Sequence, residues 1–442
     1  MILSTLSKNQ IIRKYLKLEK ENIDLKQEKE ALEKELQKYK NPNTPPSAHP
    51  HLKPNTGKAR ASGAKRGAPK NHAGTNRKNK IADEQRHITA SECPNCHSTY
   101  IQVIGHRHQQ VEELPSDIQP KIVDVLRDVD KCIKCNLKFV ARDGVTPLQG
   151  RFGVNLIVLV IFLKFIVRGV LRKTVTFLDT SFAMKLAPAS IQAIISRVAK
   201  AGEKEYELLK VKLHEARIVF IDETSFSVLG KNWWVWVFRT DTDVLFVIRN
   251  SRGNNVLDEI LGKAYTGIVV CDCWRAYDFL SNASIQRCWA HLLRKSKELC
   301  NTVIGRHFHA KLSKLFDEIQ QFNSLEHTGK QRARKYKQMT SRLEKLISYY
   351  SRYEECESVS KYINFHLESG FTCIKIAGVP PTNNYAEQAI RETVMVRKII
   401  GAFRSESGVK VYETIASLLA TWQFRKLDIK QELRKMLTTT LC

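Results

Sequence analysis

Ile218-Val219-Phe220-Ile221-Asp222 and Ile268-Val269-Val270-Cys271-Asp272 are the stretches on which the fold turns. Each is a short apolar run that stops at an aspartate, the pattern of a buried strand whose last side chain emerges at the edge of a sheet. A carboxylate there is costly to bury unless a cation or hydrogen bonds compensate it. Far downstream, the helical pattern TNNYAEQAIRETVMVRK (residues 382–398) carries Glu387. Two strand ends and one helical glutamate could hold a pair of divalent ions. In a very basic chain, that set points to cutting and joining nucleic acid.

Outward from these stretches, strands alternate with helices after Arg217. A Trp/Val-rich strand over Trp233–Arg239 and another over Val244–Ile248 flank the acidic turn Asp241-Thr242-Asp243, which reads as a hairpin. A helix from about Asn254 to Leu261 leads to the strand ending at Asp272. Another short strand precedes a helix beginning near Trp289. An antiparallel meander followed by α/β units is the order of a ribonuclease-H-like core, here expected over residues 210–300 and 371–400. Between the two parts, residues 305–350 read as amphipathic, basic helices at His309–Phe322 and Arg332–Tyr349, suited to lying on DNA or closing a dimer. Residues 401–442 form a C-terminal helical segment.

Upstream, the chain is modular, giving a multidomain α+β protein overall. Ile11, Leu18, Leu25 and Leu32 recur every seven residues, the spacing of a coiled coil over residues 1–40. Residues 41–87 form a basic linker; the part from 41 to 80 holds six prolines, nine Lys/Arg and no acid, too little apolar surface to fold. Cys93-Pro94-Asn95-Cys96 and Cys132-Ile133-Lys134-Cys135 place four thiolates at knuckle spacing in a zinc-binding module over 88–145. The 35 residues between the pairs exceed the usual gap, and Val103, Val111, Ile122 and Val123–Val125 suit short strands of a zinc ribbon. Residues 150–205 read as three helices, at about 153–169, about 172–184, and from Pro188 to near Lys200. The last two have the spacing of a helix-turn-helix.

The bulk numbers agree. At 442 residues the chain needs more than one core, and a net charge of +27 calls for a polyanionic partner. The apolar run Asn155–Val170 is interrupted by Lys164 and Arg168, so no membrane span is expected. Eleven cysteines and no export signal point to a reducing cytoplasm, with metal ligands or buried thiols rather than disulfides.

Phosphodiester cleavage at neutral pH needs an activated water or hydroxyl and neutralisation of the phosphate, which two ions about 3.5–4 Å apart supply. Asp222, Asp272 and Glu387 fit as their oxygen ligands. Alternatives stand beside each: Asp222 capping the turn into Thr224 with Glu223 as the ligand, Asp272 paired with Arg275, Glu387 paired with Arg391. Cys288 and His291 have CxxH spacing; His291 suits a phosphate contact or a buttress for the acids, Cys288 the core. Asn383 and Asn384 can cap the helix of Glu387. Arg391, Arg397 and Lys398 on that helix, with Arg294, are candidate phosphate contacts.

IDETSFSVLGKNWWVWVF (221–238), GIVVCDCWRAYDF (267–279), QRCWAHLLR (286–294) and PTNNYAEQAIRETVMVRKIIGAFRSESG (381–408) closely resemble the successive motifs of DDE transposases of the insertion-sequence sixty-six class. The zipper-like start, NPNTPPS (41–47), the two knuckles and the helical segment agree, so the resemblance covers nearly the whole chain. It implies that Asp222, Asp272 and Glu387 bind two Mg²⁺ (or Mn²⁺), that residues 301–370 are a helical insertion between the second Asp and the Glu, and that water nicks element ends whose 3′ hydroxyls then attack target DNA; the one structural Zn²⁺ is read from the four cysteines themselves. Implied partners are terminal inverted repeats and target DNA, a second protomer through the zipper, and accessory proteins of the same element. The rivals are a DNA-binding derivative that does not catalyse and a nuclease that cuts without joining.

Overall fold

The computed structural model describes residues 25, 27–29, 32, 81–109, 111 and 118–442. Contacts divide the chain into two units, Met1–Gln119 and Pro120–Cys442. In the first, Leu25 and Leu32 lie in helix and are exposed; Ile11, Leu18 and the basic segment 41–80 lie outside the described residues. Val103, Val111, Ile122 and Val123–Val125 are not in strands, contrary to the ribbon expectation. The strands form instead at the second cysteine pair, where β1 (Val129–Lys131) and β2 (Lys138–Val140) make an antiparallel hairpin around Cys132 and Cys135. The tight turn of the knuckle itself brings those flanks together.

The second unit is built on a sheet of β3 (Ile218–Val228), β4 (Lys231–Arg239), β5 (Val244–Arg249), β6 (Ile268–Cys271), β7 (Ser284–Arg287) and the short β8 (Ala402–Phe403). The main path runs β5-β4-β3-β6-β7, antiparallel through the first three strands and parallel from β3 to β7. Leu229 and Gly230, with φ of 51° and 77°, close the β3–β4 hairpin with the positive φ values its two-residue turn demands. Helices α1 (Val154–Ile161), α2 (Leu171–Phe182) and α3 (Pro188–Glu215) precede the sheet, and α4 (Asn254–Ile260) links β5 to β6. After β7 come α5 (Trp289–Lys297), α6 (Val303–Asn323), α7 (Gly329–Tyr350), α8 (Glu354–Phe365), α9 (Thr372–Lys375) and α10 (Asn384–Ile400), then α11 (Glu406–Phe424) and α12 (Ile429–Leu441).

Among the boundaries that differ from the sequence reading, two bear most on the sheet. The helix opened by Pro188 does not stop near Lys200 but runs on to Glu215, because Tyr206, Leu209 and Leu213 continue its buried stripe. Strand β3 does not end at Asp222; Phe226 and Val228 prolong the alternation of buried residues, and β4 pairs with it as far as Val228.

Alternation along the strands separates two cores. Val219, Ile221, Trp236, Phe238 and Val269 pack with α1, α3, α11 and α12. Ile218, Phe220, Val235, Val237 and Val270 pack with α5, α6, α7, α8 and α10. The segment after β7 therefore shares the core of the sheet: Phe308, Leu312 and Ile319 of α6 meet Met339, Leu343 and Ile347 of α7 in the second cluster. Capping explains the sharp starts, with Thr302 accepting from Gly305 N and a reciprocal Thr328–Gln331 capping box. No helix among the described residues is long and apolar enough to cross a membrane.

Candidate active site

Register brings the two aspartates together. Phe220 of β3 lies beside Val270 of β6 in a parallel pair, and Asp222 and Asp272 each follow two residues later. A step of two keeps Asp222 on the face of Ile218 and Phe220, toward α5 and α10, and Asp272, one residue beyond β6, is close enough for its charge to act on Asp222. Glu223 has the other parity. It is buried on the opposite side, accepting from Tyr277 Oη at 2.6 Å and from Arg252 Nε at 2.8 Å. Both of its oxygens are thus engaged by protein donors, while the neighbouring charge of Asp272 acts on it as it does on Asp222.

Asp272 follows the last residue of β6 in a loop held by Arg287 of β7. This buried guanidinium donates to Asp272 O and Trp274 O, each at 2.8 Å. Asp272 Oδ1 accepts from Trp274 N at 2.8 Å, and its Oδ2 faces Arg252 Nη2 at 3.8 Å. Arg252, rather than Arg275, is therefore the cation recorded beside it.

Glu387 lies in the first turn of α10, and β3 positions that helix at both ends. At the start, Asn383 Nδ2 donates to Ile221 O, the carbonyl just before Asp222, at 2.7 Å. The fully buried Asn383 makes no side-chain cap on its own helix, so the capping expected of it is replaced by a clamp on the strand. At the far end, Arg397 Nη1 donates to Ser225 O and, at 3.2 Å, to Thr224 Oγ1, while β8 pairs with Ser227 and Val228. The Arg397 guanidinium is thus occupied with β3, whereas Arg391, Lys398 and Arg294 are exposed.

Glu387 does not pair with Arg391 among the described contacts; its Oε1 lies 3.8 Å from His291 Nδ1 of α5. Neither buried atom has a hydrogen-bond partner. Cys288, His291 and Glu387 offer ligand atoms within 4.8 Å of one another. The Cys288 thiol is buried in the second core and accepts from Asn383 N at 3.2 Å.

The electrostatics reflect crowding of acids. Burial pushes the Asp222 carboxyl up to about 8, and the charges of Glu223, Asp272 and Glu387 add to the effect. Glu223 is raised by burial and Asp272, with Tyr277 and Arg252 opposing. Burial, then Arg294, holds His291 below its ordinary value, so it is neutral at pH 7. The raised Asp222 carboxyl and the unpartnered Glu387 Oε1 are groups whose burial a cation would compensate. Three carboxylates from β3, the β6 edge and α10 are the hard oxygen donors that Mg²⁺ or Mn²⁺ takes, so their chemistry fits such ions, although among the described residues only Cys288 and His291 have ligand atoms gathered with those of Glu387.

The two knuckles repeat one geometry, each in its own unit. Cys93 N donates to Ser98 O and His97 N to Cys93 O, both at 2.9 Å; Cys132 N donates to Leu137 O at 2.9 Å and Asn136 N to Cys132 O at 2.8 Å. His97 and Asn136 take φ of 56° and 60° at matching positions. Hydrogen bonds from the following backbone hold the Cys93 and Cys132 thiols below their ordinary values.

Sequence reading did not single out Arg252, Tyr277 or Arg287. Their partners lie 29, 54 and 15 positions away, Glu223 for the first two and the Asp272 carbonyl for the third, and no local period marks such contacts. Arg252 had one faint signal, a Ser-Arg-Gly turn directly after β5.

Compared with known protein families, residues 149–411, more than half of the chain, match the family described as Transposase IS66 family. No match was found among curated proteins.

Proposed function

Because the chain belongs to the IS66 family of transposases, we propose that it cleaves DNA strands and joins them to a target through Asp222, Asp272 and Glu387, on a ribonuclease-H-like core. The observation that supports this reading is the register match of Asp222 and Asp272 at neighbouring strand ends, with the charge of Glu387, 115 positions beyond Asp272, felt at Asp222. When bound, a pair of Mg²⁺ or Mn²⁺ ions lowers the pKa of the attacking hydroxyl and takes up charge on the scissile phosphate. Asp222 and Asp272 hold one side of the centre from adjacent strands, and Glu387 closes it from α10. Asn383 and Arg397 fix the spacing by tying that helix to β3. His291, neutral and beside Glu387, is placed to donate a hydrogen bond to a phosphate oxygen. Exposed Arg294, Arg391 and Lys398 follow the flanking phosphates without reading sequence; Arg397 serves the scaffold.

The partner is double-stranded DNA: terminal repeats bound through the zinc module and the α2–α3 helix-turn-helix, and target DNA at the acids. Cys93/Cys96 and Cys132/Cys135 are thiolate pairs for structural Zn²⁺, a reading supported by the repeated knuckle turn. The N-terminal heptads join two protomers.

The test is a strand-transfer assay with purified protein, Mn²⁺ or Mg²⁺, and labelled DNA carrying the ends of its own element, with Asp272→Asn alongside. Metal-dependent nicking and joined products, both lost in the variant, are expected. Cleavage without joining would favour a nuclease, and binding without cleavage would favour a silent derivative.

A further inference from the structure

Arg252 stands inside the acid cluster without belonging to the triad. Its Nε donates to Glu223 Oε1 at 2.8 Å, while its Nη2 is 3.8 Å from Asp272 Oδ2, near but beyond hydrogen-bond distance. Its guanidinium lies over the rings of Trp234 at 4.7 Å and Trp274 at 4.4 Å. Trp274 Nε1 in turn donates to Arg252 O at 3.2 Å, and Tyr277 completes the hydrogen bonding of Glu223. Two indole faces and a buried carboxylate therefore hold one planar cation against the edge of the centre, a setting that suits arginine and not lysine.

We propose that Arg252 is a built-in cation that weakens divalent-ion binding at the Asp222/Asp272/Glu387 centre. It is a positioning residue that steadies the Asp272 carboxylate until an ion takes it over. This inference rests on the reading of those acids as metal ligands. A unit positive charge repels a divalent ion twice as strongly as it repels a proton, so Arg252 opposes loading even where the ion displaces a proton. Because its place is secured by Glu223 and the two tryptophans, it stays beside the bound ion. The negative charge of a DNA phosphate offsets that repulsion. Ion binding and DNA binding are therefore coupled, each strengthening the other by the same factor. A free protein keeps its centre poorly loaded, and DNA fills it.

The experiment measures Mn²⁺ binding to the full-length protein without DNA at pH 8, by the electron paramagnetic resonance signal of free Mn²⁺, with melting temperatures recorded in parallel. Asp272→Asn identifies the ions that belong to the centre. Arg252→Met keeps an apolar stem between the indoles and removes the charge; Arg252→Lys keeps the charge. Coulomb repulsion of a divalent ion some 5–6 Å away in a near-aqueous dielectric predicts roughly tenfold tighter binding for Arg252→Met, and a smaller gain for Arg252→Lys, which keeps the charge but not the planar fork that holds it in place. Should Arg252→Met melt well below wild type, the pair Glu223→Gln/Arg252→Met against Glu223→Gln alone isolates the same charge, with the same expectation. Unchanged or weaker binding on loss of that charge, with an Asp272-dependent ion still present in wild type, overturns the role of Arg252 and leaves the metal reading intact. No Asp272-dependent Mn²⁺ in any form overturns both.

Discussion

Replacing Asp222 by asparagine should make the metal-free protein more stable at alkaline pH, although it removes a group at the centre of the site. The Asp222 carboxyl is raised from 3.8 to about 8, first by burial and then by Glu223, Asp272 and Glu387. Between those two values the folded state binds a proton that the unfolded chain releases. Stability therefore falls as pH rises from about 4 through about 8, and is flat beyond either end. At about 1.36 kcal/mol per pKa unit the ceiling is about 5–6 kcal/mol. Relaxation and water entry around a buried carboxyl reduce such penalties, leaving about 2–3 kcal/mol. For a unit of this size that corresponds to a melting shift of about 5 °C. The assay is a melting curve by tryptophan fluorescence at pH 5 and pH 8.5, in buffer free of Mg²⁺ and Mn²⁺. Wild type should lose stability between the two values, and Asp222→Asn should lose markedly less. Adding Mg²⁺ at pH 8.5 should then raise wild type and leave the variant nearly unmoved. Parallel curves for the two proteins would refute the argument that Asp222 bears an uncompensated charge.

Two further outcomes follow from particular contacts. Asn383→Ala strips Ile221 O of its buried partner, which should cost about 1–3 kcal/mol, and it frees the start of the Glu387 helix; cleavage should fall well beyond what the melting shift explains. Full cleavage by a destabilised Asn383→Ala would reduce that residue to scaffold. Elemental analysis should find about one zinc per chain, lost in Cys93→Ser/Cys132→Ser; equal zinc in the double variant would remove these thiols from any metal site.

Much of the second unit could be read from its amino acids, because its signals are local. Continuous runs of β-branched and aromatic residues mark β4 and β5, apolar runs mark the strands before Asp222 and Asp272, and a 3.6-residue stripe marks the helix of Glu387. Chain order and the chemistry of acidic side chains were enough to single out three carboxylates. The misreadings arose where a local pattern serves a distant partner. β3 continues past Asp222 because β4 and β8 lie against Thr224–Val228, and a polar stretch such as Asp222-Glu223-Thr224-Ser225 carries no sign of that pairing. The valines and isoleucines between the cysteine pairs have strand propensity but no strand partner among the described residues, and propensity alone does not build a sheet.

What the sequence determined by itself was therefore the set of elements and the kinds of chemical groups they carry. Tertiary structure alone decided which acid faces the centre. Asp222 and Glu223 are adjacent and chemically alike, yet a one-residue step turns one toward the core of α5 and α10 and ties the other to Tyr277 and Arg252. It also set the distance across the long insertion. A helix whose acid lies 115 positions beyond Asp272 can be held beside it only by contacts made after folding, through Asn383, Arg397 and β8, all of them on the single strand β3.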